Sequence, residues 1–597
     1  MGKTSDGAEH ACYARVLPLK NILTIKEIAA IERLVLIKSE IIRHCYQYLK
    51  LFFVYCMENN LSFPVVDESF IRTIIKLVAI RSSTNPGTCI LEDEMTRFYK
   101  KHYKPIQVQP KYSAIGMNDI IHDVVTQIIT NIENHIQGHF YNYVRKLARV
   151  WFHKETDKYS SKVSCLVKDL YNGTFNSDAS LHNLIDKYSA DIQACNQQLK
   201  QNPQDSLTLL YRINREIEEK AKALRADETN ESERKIPKPF ALFPLKRSLI
   251  PDAIPINKTI SITSFGGEEF WDSLRERLWM EFNHNEEFHI TSVRTNGVSL
   301  SVIFQKGKRE RKQKKKPLKE YYLQDLTKTK LKKLNKLNVV GIDPNKGTLA
   351  HCTDGEHFLR YTQNERQVQT GFRKYRKIRL FEEWKTRLRF KEDLTLQENL
   401  KLLSEHSGNS TTFSELEQYI LQKNLFAERF GLFYQEYFHR KFRFNTKINT
   451  KRSEDNFIKR FKETYGSPDE VVVAFGDWEQ HQGISFGKAT TLGIGMRNIF
   501  RKHKYQVFLI NERATSKTCC KCHEENEYKF LKRPDPRPWK NGKSQAVWGL
   551  SRCKNINCRA VHNRDDCASL NILSIATHYL EPDQNPLPSP FNFNHSD

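Results

Sequence analysis

Two cysteine-bearing stretches, and acids that follow apolar runs, are the residues of this chain best suited to chemistry. TSKTCCKC (515–522) and SRCKNINC (551–558) contain the spacings Cys519-x2-Cys522 and Cys553-x4-Cys558. Thiolates presented in pairs by two tight loops suit a tetrahedral Zn2+ ion, and four of them close its coordination sphere. Such an ion is structural, because no position is left for a substrate. Cys520 and His523 stand beside the first pair, but short-loop geometry favours Cys519 and Cys522 as the ligands.

The acids are more ambiguous. NVVGIDPNKGTLAHCTDGEHFLRYT (338–362) reads as strand, tight turn and strand, with Asp343 where the first strand ends and Pro344, Asn345 and Gly347 supplying the turn. VVVAFGDWEQ (471–480) is an apolar strand followed by Asp477 and Glu479, and YQVFLINERATS (505–516) is a second one that ends near Glu512. VHNRDDCASLNILSIATHYL (561–580) reads as a packed helix with Asp565 and Asp566 in its first turn, where the helix dipole favours negative charge. Carboxylates at neighbouring strand tips can share a pair of hard divalent ions, which take oxygen ligands. Turn chemistry and helix starts also account for Asp343, Asp565 and Asp566 without any catalysis.

The elements around these residues follow from periodicity. From about 20 to 225 the pattern is mostly helical, and 119–152 repeats apolar residues every three or four positions. ADETNESERKIPKP (226–239) reads as a linker. HITSVRTNGVSLSVIFQ (289–305) alternates about Asn296-Gly297, which predicts a β-hairpin with a type I′ turn. KGKRERKQKKKPLK (306–319) is a dense basic run that reads as a solvated loop, a phosphate contact or a nuclear-import signal. In GFRKYRKIRLFEEWKTRLRF (371–390), Tyr375, Ile378, Phe381, Trp384 and Leu388 recur at helical spacing, so one face can pack while Arg and Lys follow a nucleic-acid backbone. The Pro-rich 581–597 is expected to be disordered.

At 597 residues the chain is long enough for several domains. Its 95 Lys and Arg against 70 Asp and Glu give a formal charge of +25, a field that attracts polyanions. Apolar runs are too short for a membrane span, the mean hydropathy is -0.62, and MGKTSDGAEHACYARV has no apolar signal core. A soluble intracellular protein is expected, in a reducing compartment, since five of the 13 cysteines crowd one segment instead of forming a disulfide framework.

The order of these motifs resembles the RuvC-type nucleases of the RNA-guided transposon proteins called TnpB and the compact type V CRISPR effectors related to them. GIDPNKG is similar to the first RuvC segment, TSKTCCKC and SRCKNINC to the zinc ribbon, and NRDDCASLNIL to the third segment. The likeness covers about 338–580. It implies catalytic acids at Asp343 and Asp565, with Asp566 in a non-catalytic position. The second segment departs from the bacterial pattern, since VVVAFGDW has Ala474 and Phe475 where a Glu is expected. The eukaryotic and giant-virus family called Fanzor is more similar here, because its glutamate is moved to the strand before the ribbon. That places the third acid at Glu512. Asp477, in the loop after its strand, and Glu479, farther still, have less reach to the metal pair.

The expected fold is multidomain α+β: a helical recognition lobe (1–235) and a β-rich wedge module with the basic run (236–337), followed by an RNase H-like RuvC α/β domain. RuvC segments one and two with the basic helical insert occupy 338–512, the zinc ribbon 513–560, the third segment 561–580 and the tail 581–597. The resemblance implies a Mg2+-dependent DNA endonuclease directed by a bound guide RNA. Asp343, Glu512 and Asp565 would hold two Mg2+ ions, and Cys519, Cys522, Cys553 and Cys558 would hold Zn2+. Guide RNA and double-stranded target DNA are the expected partners, with a single protein chain in the ribonucleoprotein, no membrane, and a nuclear location, or an intracellular one if virus-encoded. The alternatives are a cleavage-inactive RNA-guided or zinc-ribbon DNA-binding protein and, less favoured by the ribbon between the acids, a strand-transferring transposase.

Overall fold

The computed structural model describes residues 12–80, 92–108, 112–114, 117–153, 159–226, 236–244, 248–258, 268–282, 288–306, 320–390, 396–477, 493–535, 542–581, 587 and 589–591. The basic run beyond Lys306, Glu479, most of the 226–239 linker and most of the 581–597 tail lie outside them. The chain forms two compact units, one drawn from within 10–308 and 378–444, the other from within 309–377 and 445–597. No helix among the described residues is long and apolar enough to cross a membrane.

The first unit combines long helices with a four-stranded antiparallel sheet. Helix Ile25–Glu58 starts with a capping box, in which Thr24 accepts from the Glu27 amide and Glu27 accepts from the Thr24 amide. Its central turns are buried on every side, Arg43 and Lys50 included. Arg43 donates to Glu40 and Asn424, so its charge is paired inside the core. Helix Asn118–Trp151 buries one stripe, from Ile120 through Ile128, Ile136 and Val144.

In the sheet, β1 (Cys12–Pro18), β2 (Ile254–Ile256), β3 (Phe288–Thr295) and β4 (Ser299–Lys306) stand in the order β1-β4-β3-β2. The helices between residues 25 and 226 therefore lie between two strands of one sheet in chain order. The β3–β4 hairpin forms, but its turn differs from the predicted type I′. Thr295 pairs with Leu300, so the loop has four residues instead of two. Gly297 alone of the pair has positive φ, at +82°, while Asn296 Oδ1 accepts from the amides of Val298 and Ser299, both at 3.1 Å. An Asx-type turn thus replaces the left-handed Asn.

The second unit is organised by a five-stranded sheet: β5 (Asn338–Asp343), β6 (Thr348–Thr353), β7 (Phe358–Thr362), β8 (Val471–Gly476) and β9 (Gln506–Ile510). Their order is β7-β6-β5-β8-β9. Strands β5 to β7 pair antiparallel, whereas β5, β8 and β9 run parallel. Every residue of β8 is buried, as a central strand covered on both faces requires. Val471, Val473 and Phe475 face a core with Phe457, Phe461 and Phe500, while Val472 and Ala474 face one with Ile572, Ile575 and Leu580.

Helix Arg564–Leu580 covers that second face. A Cβ at Gly341 of β5 would stand 2.6 Å from the Ser569 carbonyl oxygen and 2.7 Å from the Leu573 amide. Only a glycine lets the helix backbone approach the strand this closely.

Between β9 and the helix lies a small module. β10 (Asn526–Tyr528), β13 (Leu550–Cys553) and β14 (Val561–Asn563) form one sheet, and β11 (Lys532–Pro534) pairs with β12 (Ser544–Ala546). Strand β14 leads directly into the helix. Asn563 caps that helix, its side chain accepting from the amides of Asp565 at 2.9 Å and Asp566 at 3.4 Å.

Candidate functional site

Side chains alternate along a strand, so Asp343 lies on the same face of β5 as Gly341, the face covered by helix Arg564–Leu580. The first turn of that helix supplies Asp565, whose Oδ2 accepts from Thr348 Oγ1 of β6 at 3.1 Å. The turn joining β5 to β6 holds both residues in place. Asn345 Oδ1 accepts from the amides of Gly347 at 2.8 Å and Thr348 at 2.6 Å, and the Asn345 amide donates to the Thr348 carbonyl.

Burial raises the Asp343 carboxyl to about 7, and the negative charge of Asp565 adds to the effect. The Arg564 guanidinium and a hydrogen bond with Asn345 oppose it more weakly. A buried carboxyl with a second carboxylate beside it is a place where a hard divalent cation can be held.

Glu512 lies two residues beyond β9 and reaches across the tip of β8. Its carboxylate fills the space beside Gly476 that a Cβ there would need. Pro344, the residue after Asp343, borders the same space, 2.9 Å from that Cβ position. The parallel register pairs Ile342 with Phe475 and Gly476 with Ile510, so these groups meet at one level of the sheet. The last residue of β8 thus has no side chain, and a neighbouring strand's glutamate occupies the vacated volume.

Asp477 has a different environment. It is buried, and its Oδ2 accepts from the Tyr322 hydroxyl at 2.9 Å while Oδ1 accepts from the Glu512 amide at 3.2 Å. Its own amide donates to the Ile510 carbonyl. Burial, with Asp477's charge second, raises the Tyr322 hydroxyl's proton affinity and keeps it a donor. Asp477 therefore fastens the loop that carries Glu512. Asp566 is likewise committed, its Oδ1 lying 2.7 Å from both His351 Nε2 and Arg360 Nη2. Sequence reasoning passed over Gly476, Thr348 and Tyr322. A glycine as the final residue of an otherwise apolar strand was the available signal for the first; Thr348, at the start of β6, and Tyr322 carry no such local signal.

Cys519, Cys522, Cys553 and Cys558 bring their sulfurs within 4.8 Å of one another, an arrangement that could hold a zinc ion. Cys519 and Cys558 are 3.8 Å apart and Cys522 and Cys553 3.4 Å apart. A regular tetrahedron with ~2.3 Å metal–sulfur arms has edges of about 3.8 Å. His523 is not part of the group: it has positive φ (59°), and its ring lies against Phe591. Among the described residues the groups of three or more ligating atoms this close are both in the cysteine module and the first turn of the helix that follows it. Asp343, Glu512 and Asp565 are spread more widely, and acids that grip two ions about 3.5–4 Å apart need not converge on one point.

The basic helix Phe372–Phe390 forms at its predicted position; of the residues expected to pack, Tyr375 and Ile378 are half-buried, whereas Phe381 and Trp384 are exposed. Packing therefore accounts for the Tyr375 end of this face but not for Phe381 and Trp384.

No protein-family model matches the chain, and no curated protein matches it. Among solved structures it is similar to the mini-RNA-guided endonuclease CRISPR-Cas_phi3, with 13% identity and a TM-score of 0.29 over 51% of this chain and 55% of that one. CasPhi-2 (Cas12j) bound to crRNA and phosphorothioate-DNA matches with 14% identity and a TM-score of 0.28 over 49% and 52%. The Cas12f1–sgRNA–target DNA complex matches with 12% identity and a TM-score of 0.24 over 94% and 99%. The matched region spans about half the length of the first two chains.

Proposed function

We propose that this protein is an RNA-guided DNA endonuclease of the Fanzor type, with an RNase H-like RuvC domain whose metal-binding acids are Asp343, Glu512 and Asp565. One observation carries the reading. Acids from three distant chain segments lie toward one end of a sheet ordered β7-β6-β5-β8-β9, with three antiparallel strands followed by two parallel ones, which supports a shared site. That order supports the reading of an RNase H-like core. The charge of +25 and the exposed Phe372, Phe381 and Trp384 of the basic helix supply surface for a nucleic-acid backbone.

The carboxylates fit divalent ions by donor chemistry: all are oxygen ligands, and burial, with the Asp565 charge second, raises the proton affinity of Asp343. Bound Mg2+ would supply an activated water and charge neutralisation at the scissile phosphate. The chain's own contribution is placement. Thr348 orients Asp565 by hydrogen bonding, Asp477 and Tyr322 hold the Glu512 loop, and Gly476 leaves room for the Glu512 carboxylate. Target choice would be delegated to base pairing with the guide, leaving the protein to read duplex shape and a short adjacent motif.

The test is to purify the protein from cells expressing its own locus, sequence the RNA that accompanies it, and add matched duplex DNA with Mg2+. RNA-dependent cleavage is expected. Absence of bound RNA overturns the guided reading, while bound RNA without cleavage points to an RNA-guided binding protein.

A further inference from the structure

Beside the four-cysteine group stands a second set of ligating side chains. Cys520, His562 and Cys567 place one ligating atom each within 4.8 Å of one another. They come from three elements: the first cysteine loop, strand β14 and the first turn of helix Arg564–Leu580. We propose that they bind a second Zn2+ ion, next to the one held by Cys519, Cys522, Cys553 and Cys558.

The geometry supports the assignment atom by atom. Cys520 Sγ lies 3.7 Å from His562 Nδ1. Two ligands on one tetrahedral zinc, with arms of ~2.3 Å to sulfur and ~2.0 Å to nitrogen, stand about 3.5 Å apart. The other ring nitrogen, Nε2, lies 3.3 Å from Cys519 Sγ of the neighbouring site. A neutral imidazole that gives its Nδ1 lone pair to the second ion carries its proton on Nε2, aimed at the Cys519 thiolate. His562 then serves both ions, as ligand to one and hydrogen-bond donor to a ligand of the other.

Cys567 is buried, and two side-chain amides lie near its sulfur. Asn526 Nδ2 donates to its sulfur at 3.7 Å, and Asn571 Nδ2 lies 4.0 Å away. The Cys567 thiol donates to the Thr518 carbonyl at 3.2 Å. When zinc displaces that proton, the Thr518 carbonyl still accepts from Asn571 Nδ2 at 2.9 Å. Binding releases two thiol protons to solvent and strands no polar group. Two sulfurs and one imidazole suit a borderline-soft ion, and three protein ligands leave its fourth position open.

An ion here would tie the cysteine loop to the helix turn that carries Asp565, two residues before Cys567. The inference does not depend on the nuclease reading, because zinc content is measured without any nucleic acid. Zinc per chain is determined by elemental analysis on full-length protein purified in a non-chelating reductant and dialysed after exposure to Zn2+ alone. Two ions are expected in the wild type. One is expected in the Cys520→Ser/Cys567→Ser variant and also in His562→Ala, which keeps both thiols. A single ion in the wild type overturns the proposal, whether or not any variant folds. Two ions retained in the double variant overturn it as well.

Discussion

Replacing Gly476 by alanine isolates the feature on which the candidate site depends. Gly476 does not have positive φ, so alanine meets no backbone penalty and the effect is steric. The new Cβ would lie 2.9 Å from Pro344 Cδ and 3.1 Å from Glu512 Cδ, closer still to the Glu512 carboxylate oxygen. Carbon atoms pack at about 3.5–4.0 Å, so the proline ring must recede by roughly 0.6 Å and the glutamate by about 1 Å. A displacement of about 1 Å at a catalytic group costs on the order of 10²-fold, near 2.7 kcal/mol in the barrier. The flexible glutamate yields more readily than the ring, so the melting temperature should fall little, and any overpacking cost should stay within about 1–3 kcal/mol. The assay is single-turnover cleavage of a matched duplex by the assembled ribonucleoprotein, with the melting temperature and bound RNA measured on the same preparation. Gly549→Ala is the control, because nothing lies within 4 Å of its Cβ position. In a Glu512→Ala background the Gly476 substitution should add almost nothing, since its target is gone. Wild-type cleavage by the Gly476→Ala protein would refute the placement of Glu512 in the metal site.

Other consequences are separable. Asp477→Ala should destabilise the second unit by about 1–3 kcal/mol, because it removes the acceptor of hydrogen bonds from the Tyr322 hydroxyl and the Glu512 amide, and Tyr322→Phe should reproduce part of that destabilisation; a thermally silent Asp477→Ala would count against its anchoring role. The raised proton affinity of Asp343, about 7, has a defined sign: below that pH the carboxyl is protonated, so Mg2+ must displace a proton. The Mg2+ concentration for half-maximal cleavage should therefore rise about tenfold per pH unit below 7 and level off above it, whereas a flat profile from pH 5.5 to 8 would exclude this coupling. Gly341→Ala, which drives a Cβ against the backbone of Ser569 and Leu573, should lower the melting temperature more than Gly476→Ala does, as calorimetry would show.

How much was legible in the chain depended on how local the cause was. β8 and helix Arg564–Leu580 form where periodicity predicts, since apolar spacing acts within one element. The four cysteines meet as predicted, because ligand pairs on short loops have little freedom. The hairpin was legible but its turn was not, because Gly297 packs against Glu32 and Arg440, which no local rule anticipates. Likewise Phe381 and Trp384 have helical spacing, but exposure depends on what covers the helix. At the site, the ends of β5 and β8 were readable, while the filling of the Gly476 space by Glu512 requires the β8–β9 register. His562 and Cys567 carry no paired spacing in the sequence, and only the fold brings them to Cys520.

The edge strand β1 has a consequence for biosynthesis. Cys12 pairs with Gln305, so this strand leaves the ribosome 293 residues before its partner. At about 5–20 residues per second the wait is roughly 15–60 s, far longer than a helix needs to form. During that interval the helices between residues 25 and 226 can already condense, whereas residues 12–18 have nowhere to dock. Arg15 and Pro18 within the strand make it a poor template for pairing with other nascent chains. The final step in completing this sheet is then the return of the first-made strand, and ribosome-bound chains truncated before residue 299 should leave that segment open to protease.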